Sequence, residues 1–438
     1  MAIVEAPPAS SPHASAPRGR DTAIDFLRAL CVTGVVLLHA IMVGVTVTDA
    51  GPVFENASDG TWWILPVSWA LQVMPLFFVI GGFAGFLAHG RGRERGHTDA
   101  AFVAARIHRL LRPAVLVIGV AGVLLAALLV AGVPGHLVAI AGFRFAQPLW
   151  FLGVFLLCQA LLPSLAAAHR RAPVAALGLL AGAAVLVDVV RAHTGADGLG
   201  FLNLAFVWLT LQQLGFFLAD GTIDALSRRA RVAAATTALA ALIGAFVTGI
   251  YSPDLVANIN PPTGALLLVG IVHLTLVSLF RARIARFSRR PIAARFSDFV
   301  NRRTMTIYLW HMPMLLAMAG AVALHALATG TVLPEPSSAA WWAGRPVWLL
   351  AALVLSALVA VALTRFENRP APAATGSHRR LALATGTGVG VVALLLVVGT
   401  TPVTAGVAVL GLLAALRLAR RSRQPARGEG VPDIVRVA

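Results

Sequence analysis

The sequence predicts an all-α integral membrane protein, a polytopic helix bundle with both chain ends in the cytoplasm. Two observations carry this. Of 438 residues, 58% are hydrophobic and 12% charged, and the mean hydropathy is +0.83; soluble domains carry roughly 25% charged residues. The apolar residues also gather into runs of about 20, the length that crosses a hydrocarbon core as a helix, and short basic segments separate them.

Residues 1–20 are rich in Pro, Ala and Ser and are expected to be a disordered cytoplasmic start. The first run, 23–47, is too long for a signal h-region and is expected to remain as an uncleaved helix. Further spans are expected near 62–88, 113–133, 148–168, 173–190, 201–219, 231–250, 264–281, 304–326, 346–365, 381–399 and 403–419, twelve with the first. The final pair also reads as a re-entrant hairpin. Residues 420–438 form a basic tail. No connection is long enough for a soluble domain, so function is expected inside the bundle or at its mouths.

Arginine placement supports this count. All 35 basic residues are Arg, which reads as coding bias. Alternating the spans from an inside N-terminus puts 32 Arg inside and leaves Arg144, Arg191 and Arg345 outside, as the positive-inside rule requires. One miscounted span would invert every later loop. The net charge of +17 is therefore topology, and nucleic acid is not expected as a partner. Cys31 and Cys158 lie within apolar runs and make neither a disulfide framework nor a metal site.

Ionisable residues within spans are costly and mark function by default. The first span has Asp25, Arg28 and His39; others are Asp188, His273, His311 beside Tyr308 and Trp310, and Glu367. Asp25 and Arg28, three apart, can pair on one helix face. His39 follows Arg28 by eleven residues, so it lies on nearly the same face, about 16 Å along the axis. A cation at the inner mouth and a titratable base deeper in the bundle suit a long ligand with an anionic head and a reactive tail, such as a coenzyme A thioester. Plainer readings stay open: Arg28 as a snorkelling anchor, His39 and His311 as packed interface residues, His273 as structural, and Asp188 as a solvated helix end. Trp62, Trp63, Trp341 and Trp342 read as interface-belt anchors or as a sugar-stacking platform. The Asn258–Thr263 stretch, Asn-Ile-Asn-Pro-Pro-Thr, reads as a rigid turn that could shape an outer mouth.

Arg28 with His39, Met74–Phe83, Arg106 with Arg109, Arg112 and Pro113, Pro148–Leu152, Ile307–Pro313, and Glu367 with Pro370 resemble, in that order, segments of the acyltransferase family 3 membrane proteins. Arg28, ten residues, then His39 is similar to the family's Arg-x10-His signature. Met74-Pro-Leu-Phe-Phe-Val-Ile-Gly-Gly-Phe83 resembles its "PLFFVISGF" stretch, with Gly81 where many members carry Ser. Arg106, Arg109, Arg112 and Pro113 resemble the basic entry to its third helix, Pro148–Leu152 its "LWFL" segment, and Ile307–Pro313 its "YLWHxP" motif. Glu367 and Pro370 are similar to its closing Glu-x-Pro, slipped by one residue. The resemblance covers about 21–370 and implies a ten-helix core there, with 371–419 as a linker and an additional helix pair.

The resemblance implies a multi-pass enzyme of the inner (plasma) membrane that carries an acyl group, acetyl or short-chain, from cytoplasmic acyl-CoA to a hydroxyl. The acceptor would be an envelope glycan, a lipid or lipid-linked sugar, or a secondary metabolite. Acyl-CoA would be a co-substrate, with no permanently bound cofactor and no metal. Arg28, held by Asp25, would bind CoA phosphates with Arg106 or Arg109. His39 would be the general base or a transiently acylated nucleophile, and His311 with Tyr308 would orient it or stabilise the oxyanion. A transporter or flippase is the rival reading, but the two halves show no matching repeats. His-Glu-x-x-His, Gly-x-Ser-x-Gly and phosphate-loop motifs are absent from the sequence.

Overall fold

A computed structural model describes residues 21–367, 370 and 372–421, with the side chains of Phe366 and Glu367 outside it. The expected disordered start 1–20, the Glu367 carboxylate and most of the tail 420–438 lie outside the described residues.

The chain is a helix bundle. Helix α1 (Thr22–Ile41) leads into a hairpin of β1 (Val43–Thr48) and β2 (Gly51–Asn56). There follow α2 (Ile64–Leu71), α3 (Met74–Glu94), α4 (Asp99–Val130), α5 (Gly135–Ala146), α6 (Trp150–Arg171), α7 (Pro173–Thr194) and α8 (Asn203–Ala219). The short α9 (Thr222–Ala225) precedes α10 (Arg228–Val247), α11 (Ala265–Ser288), α12 (Pro291–Arg302), α13 (Thr304–Thr329), α14 (Ala339–Glu367), α15 (His378–Val398) and α16 (Pro402–Leu418). Among the described residues, eleven segments are long and apolar enough to cross a membrane, and α16, at 17 residues, is a shorter twelfth. The polytopic all-α architecture expected from the sequence is what the chain adopts.

Three local differences matter. The first apolar run does not stay helical to 47. Met42 ends α1, and Val43–Thr48 pairs antiparallel with Gly51–Asn56, Val43 opposite Asn56. The alternating Val-Gly-Val-Thr-Val-Thr favours a strand, since β-branched residues pack well on a pleated surface, and Gly51 at φ 115° closes the turn. The second run is broken at Gln72–Val73, where Pro75 at the start of α3 disfavours continuous helix. Helix α4 begins well before its apolar stretch. Thr98 caps it by accepting from the Ala101 N–H at 3.1 Å, so Arg106 and Arg109 stand on a rigid helix and not in a loop.

Residues from α1, α3, α4, α6, α8, α11, α13, α15 and α16 share one buried apolar cluster. Helices α7 and α10 are peripheral, each with two buried residues. Without a hydrophobic force between helices in lipid, close approach relies on small residues. Gly82 of α3 and Gly215 of α8 face each other's backbones: a Cβ on Gly215 would come within 2.7 Å of the Phe83 nitrogen. The last helix pair packs the same way. Gly153 of α6 meets Val392 of α15 at 3.2 Å, and Gly122 of α4 meets Ala405 of α16 at 2.6 Å, both measured from an added Cβ.

The two ends of the bundle differ. At the arginine-rich end, Asp21 caps α1 by accepting from Ala23 and Ile24 N–H, and also accepts from Arg281 at 2.5 Å; Arg281 reaches Asp224 at 2.8 Å. At the opposite end lie the hairpin and a tryptophan cluster. Trp63 and Trp341, both 2% exposed, pack on each other and on Trp342. Neither is an interface-belt anchor, because tertiary packing takes them inside; Trp62, 81% exposed, remains outside.

Candidate active site

Two cavities lie along α1. The inner one, about 100 Å³, lies toward the arginine-rich end and is lined by Arg28, Arg106, Arg109 and Gln159 among apolar groups. The outer one, about 550 Å³, is lined by His39, Gln72, Arg144, Gln147, Asn260 and Tyr308 among many apolar side chains. Phe77, Phe151, Thr304 and Met305 line both. These four side chains form a waist between an inner chamber rich in cations and an outer one holding a histidine.

The sequence-predicted residues distribute between the chambers by helical geometry. Arg28 and His39 ride on α1, three turns apart, one in each cavity. Asp25 pairs with Arg28 at 3.5 Å, as the three-residue spacing predicts. From α4, Arg106 stacks over the Phe102 ring at 4.9 Å and presents its charge to the inner chamber, with Arg109 one turn outward. Three cations line this small space, an arrangement whose charge an anion would balance. Gly81 also lines it; the nearest neighbour of an added Cβ would be the Phe155 ring at 3.3 Å.

His39 and His311 come together although 272 positions separate them, their ring centroids 5.0 Å apart. The His39 Nδ1 lies 2.9 Å from the Val35 carbonyl one turn back, and the His311 Nδ1 bonds the Tyr308 carbonyl. A carbonyl only accepts, so each Nδ1 carries the proton in the neutral ring and each Nε2 keeps its lone pair. The His311 Nε2 is buried and has no hydrogen-bond partner among the described residues. Tyr308 donates its hydroxyl to the Pro148 carbonyl, and its ring stands edge-on to Phe151 at 4.8 Å. It therefore ties α13 to the start of α6. That hydroxyl proton is already placed, which leaves it unsuited to the oxyanion role implied by resemblance.

Several site groups were not singled out from the sequence. Gln72 sits in the break between α2 and α3 and donates to the Leu255 carbonyl at 2.6 Å, while Ser68 accepts from the Leu255 N–H. The 250–264 connection is thereby fastened over the outer chamber. Asp188 is its main anchor: it accepts from Asn203 at 2.8 Å, from the Tyr251 hydroxyl at 2.7 Å and from the Gly264 N–H at 2.7 Å. It is not a merely solvated helix end. Burial and the Asp188 carboxylate raise the Tyr251 phenol above its ordinary range. Phe77, Phe151 and Met305 had no polar atom to flag them, and a lone polar residue in a broken helix carries no periodic signal.

A second polar cluster lies at the arginine-rich end. Gln213 bonds the His169 Nδ1, and the His169 Nε2 bonds Asp220 at 2.9 Å. Burial opposes the charge on Asp220, but hydrogen bonds from Thr222 and His169 outweigh it and hold the carboxyl below its ordinary value. The cluster joins α6 to the end of α8 and faces neither chamber.

No curated protein and no solved structure matches the chain. Residues 21–365 match the family model described as Acyltransferase domain, Acyl_transf_3, a stretch that contains Arg28, His39, Arg106, Arg109, Tyr308, His311 and the whole waist. The chain is therefore a member of acyltransferase family 3, a multi-pass membrane acyltransferase.

Proposed function

We propose that the protein is a plasma-membrane O-acyltransferase that carries an acetyl or short-chain acyl group from cytoplasmic acyl-CoA to a hydroxyl presented in the outer chamber. The observation that carries this reading is the pair of cavities on one helix: a triple-arginine chamber below, a histidine chamber above, and the shared wall of Phe77, Phe151, Thr304 and Met305 between.

The inner cavity is far too small for the nucleotide. Arg28, Arg106 and Arg109 hold the CoA phosphates at its mouth, where guanidinium forks match phosphate oxygens. Asp25 holds Arg28 in place. The thin pantetheine arm reaches through the waist, bringing the thioester to His39. The His39 Nε2 takes the proton of the acceptor hydroxyl as that oxygen attacks the thioester carbonyl. The new C–O ester bond forms, the C–S bond breaks, and the CoA thiolate recovers the proton from His39. No net proton is consumed. His311 lines neither chamber but packs on His39 with ring centroids 5.0 Å apart, so it acts through the base as a positioning residue; Tyr308 is another. The acceptor is a hydroxyl of an envelope glycan, a lipid or a small metabolite.

General base catalysis is worth roughly 10²–10⁴-fold. His39→Ala, shown to insert normally, is expected to lose acyl transfer by that factor while donor binding persists. Transfer at the wild-type rate in His39→Ala would refute the base assignment.

A further inference from the structure

The outer chamber is lined in a way that selects a kind of acceptor. Six of its lining residues are exposed: Phe143, Phe201, Ala393 and Val397 are apolar, and Gln147 and Asn260 are polar. Phe143 is 52% exposed, Phe201 50% and Val397 84%. A mouth edged with such apolar groups is unfavourable against water but natural against acyl chains, because these residues flank membrane-length helices. Beside them stands Arg144, which among the described residues has the weakest protein partner of the outward arginines. Of the three outward arginines, Arg191 pairs with Asp197 at 3.1 Å, and Arg345 donates to the Val43 carbonyl and lies 3.8 Å over Trp341. Arg144 has only a 3.5 Å contact to Gln147 and faces the chamber.

One wall of this chamber comes from outside the family match. Ala393, Leu396 and Val397 belong to α15, beyond residue 365. That wall is fixed in place. An added Cβ on Gly388 would meet Leu156 of α6 at 2.7 Å, so α15 is seated directly on the catalytic bundle. The helix that follows the family domain thus contributes an apolar surface to the chamber holding His39.

We propose that the acceptor is an amphiphile, a hydroxyl-bearing polar head on an apolar chain or body, that enters sideways from the bilayer. Its apolar part lies against Leu396 and Val397, its head meets Arg144, Gln147 and Asn260, and one hydroxyl reaches the His39 Nε2. This inference rests on the acyl-transfer reading above. It makes α15 a specificity element and disfavours a bare water-soluble glycan.

The test uses the full chain in phosphatidylcholine nanodiscs with radiolabelled acetyl-CoA. The acceptor probes are hexyl and octyl β-glucoside, below their micelle concentrations, against glucose and maltotriose. Glucose and the two glucosides share one head group and differ only in the tail, and maltotriose is the tail-less oligosaccharide control. Octyl glucoside is expected to exceed glucose in kcat/KM by at least tenfold, and two added methylenes from hexyl to octyl to contribute roughly tenfold. Leu396→Gln with Val397→Gln is expected to reduce the octyl preference at least tenfold with the acetyl-CoA KM unchanged. Equal use of glucose, preference for maltotriose, or an undiminished tail preference in the double variant (bilayer partitioning alone) overturns the inference. A readout independent of turnover is photolabelling with an alkyl-diazirine glucoside. It should mark α15 in the wild type and lose that mark in Leu396→Trp; equal labelling of both overturns the proposal. Turnover that depends on His39 but ignores the tail sinks this inference alone, whereas no His39-dependent turnover with any probe sinks the acyl-transfer reading with it.

Discussion

Gly215→Ala tests how far the site depends on a backbone contact that holds no chemistry. Gly215 lies where α8 crosses α3, and its missing side chain is what lets the two backbones meet. An alanine Cβ would sit 2.7 Å from the Phe83 nitrogen and closer still to the Val79 carbonyl, whereas ordinary contacts begin near 3.4 Å. The obstacle is backbone on a packed helix and has no rotamer to give. The helices must part by more than about 1 Å to clear the Val79 carbonyl, and overpacking of this kind costs roughly 1–3 kcal/mol. The separation also reaches the site, because α3 carries Phe77 in the waist and Phe78 stacked on Trp208 at 4.5 Å. A misplacement near 1 Å costs catalysis on the order of 10²-fold. The matched control is Gly178→Ala on α7, where an added Cβ meets nothing within 4 Å and alanine favours the helix by up to about 1 kcal/mol. Thermal unfolding of detergent-solubilised protein, followed by tryptophan fluorescence, and CoA release read both effects. Gly215→Ala should melt lower and turn over slowly, and Gly178→Ala should match or exceed the wild type. If the two variants behave alike, the close α3–α8 crossing does not hold the waist.

Arg28→Ala should raise the KM for acetyl-CoA roughly 10–100-fold, as loss of a charge-assisted phosphate contact predicts, with the acceptor KM unmoved; an unchanged donor KM argues against the phosphate role. Asp188→Ala removes three hydrogen bonds and should cost roughly 2–4 kcal/mol, with faster proteolysis within 250–264; resistance equal to the wild type would show that the connection is held elsewhere. Asp220 is held below its ordinary value of 3.8, so its contribution is fully present above that pH and is lost as pH falls through the lower folded value. Unfolding midpoints at pH 6 and pH 3 should therefore differ less in Asp220→Asn than in the wild type, and an identical acid-side loss in both would contradict the assignment.

Much of the fold was legible because lipid imposes a simple rule on sequence. Backbone polar groups must be satisfied within the span, so long apolar runs become helices and arginines mark their ends. The Arg28–His39 column was legible for the same reason: both lie on one helix, and helical spacing is arithmetic. The hairpin after α1 escaped because a run of Val, Gly and Thr is apolar enough to extend a span on hydropathy alone. Its alternation and Gly51 carried the strand signal. The tryptophans escaped because an aromatic at a helix end suits the interface or a buried cluster equally, and only the partner decides.

By itself, then, the sequence determined a membrane bundle, its approximate spans, an expected orientation, and a cation and a base along its first helix. The tertiary structure decided which distant groups share a space. It set His311 beside His39, brought Arg106 and Arg109 to Arg28, closed the waist with Phe77, Phe151, Thr304 and Met305, and made α15 a wall of the outer chamber. Local periodicity fixes which face a residue takes on its own helix. Which other helix that face meets depends on close approaches such as Gly82 on Gly215 and Gly388 on Leu156. Such approaches are properties of two segments at once, and no single stretch of sequence contains them.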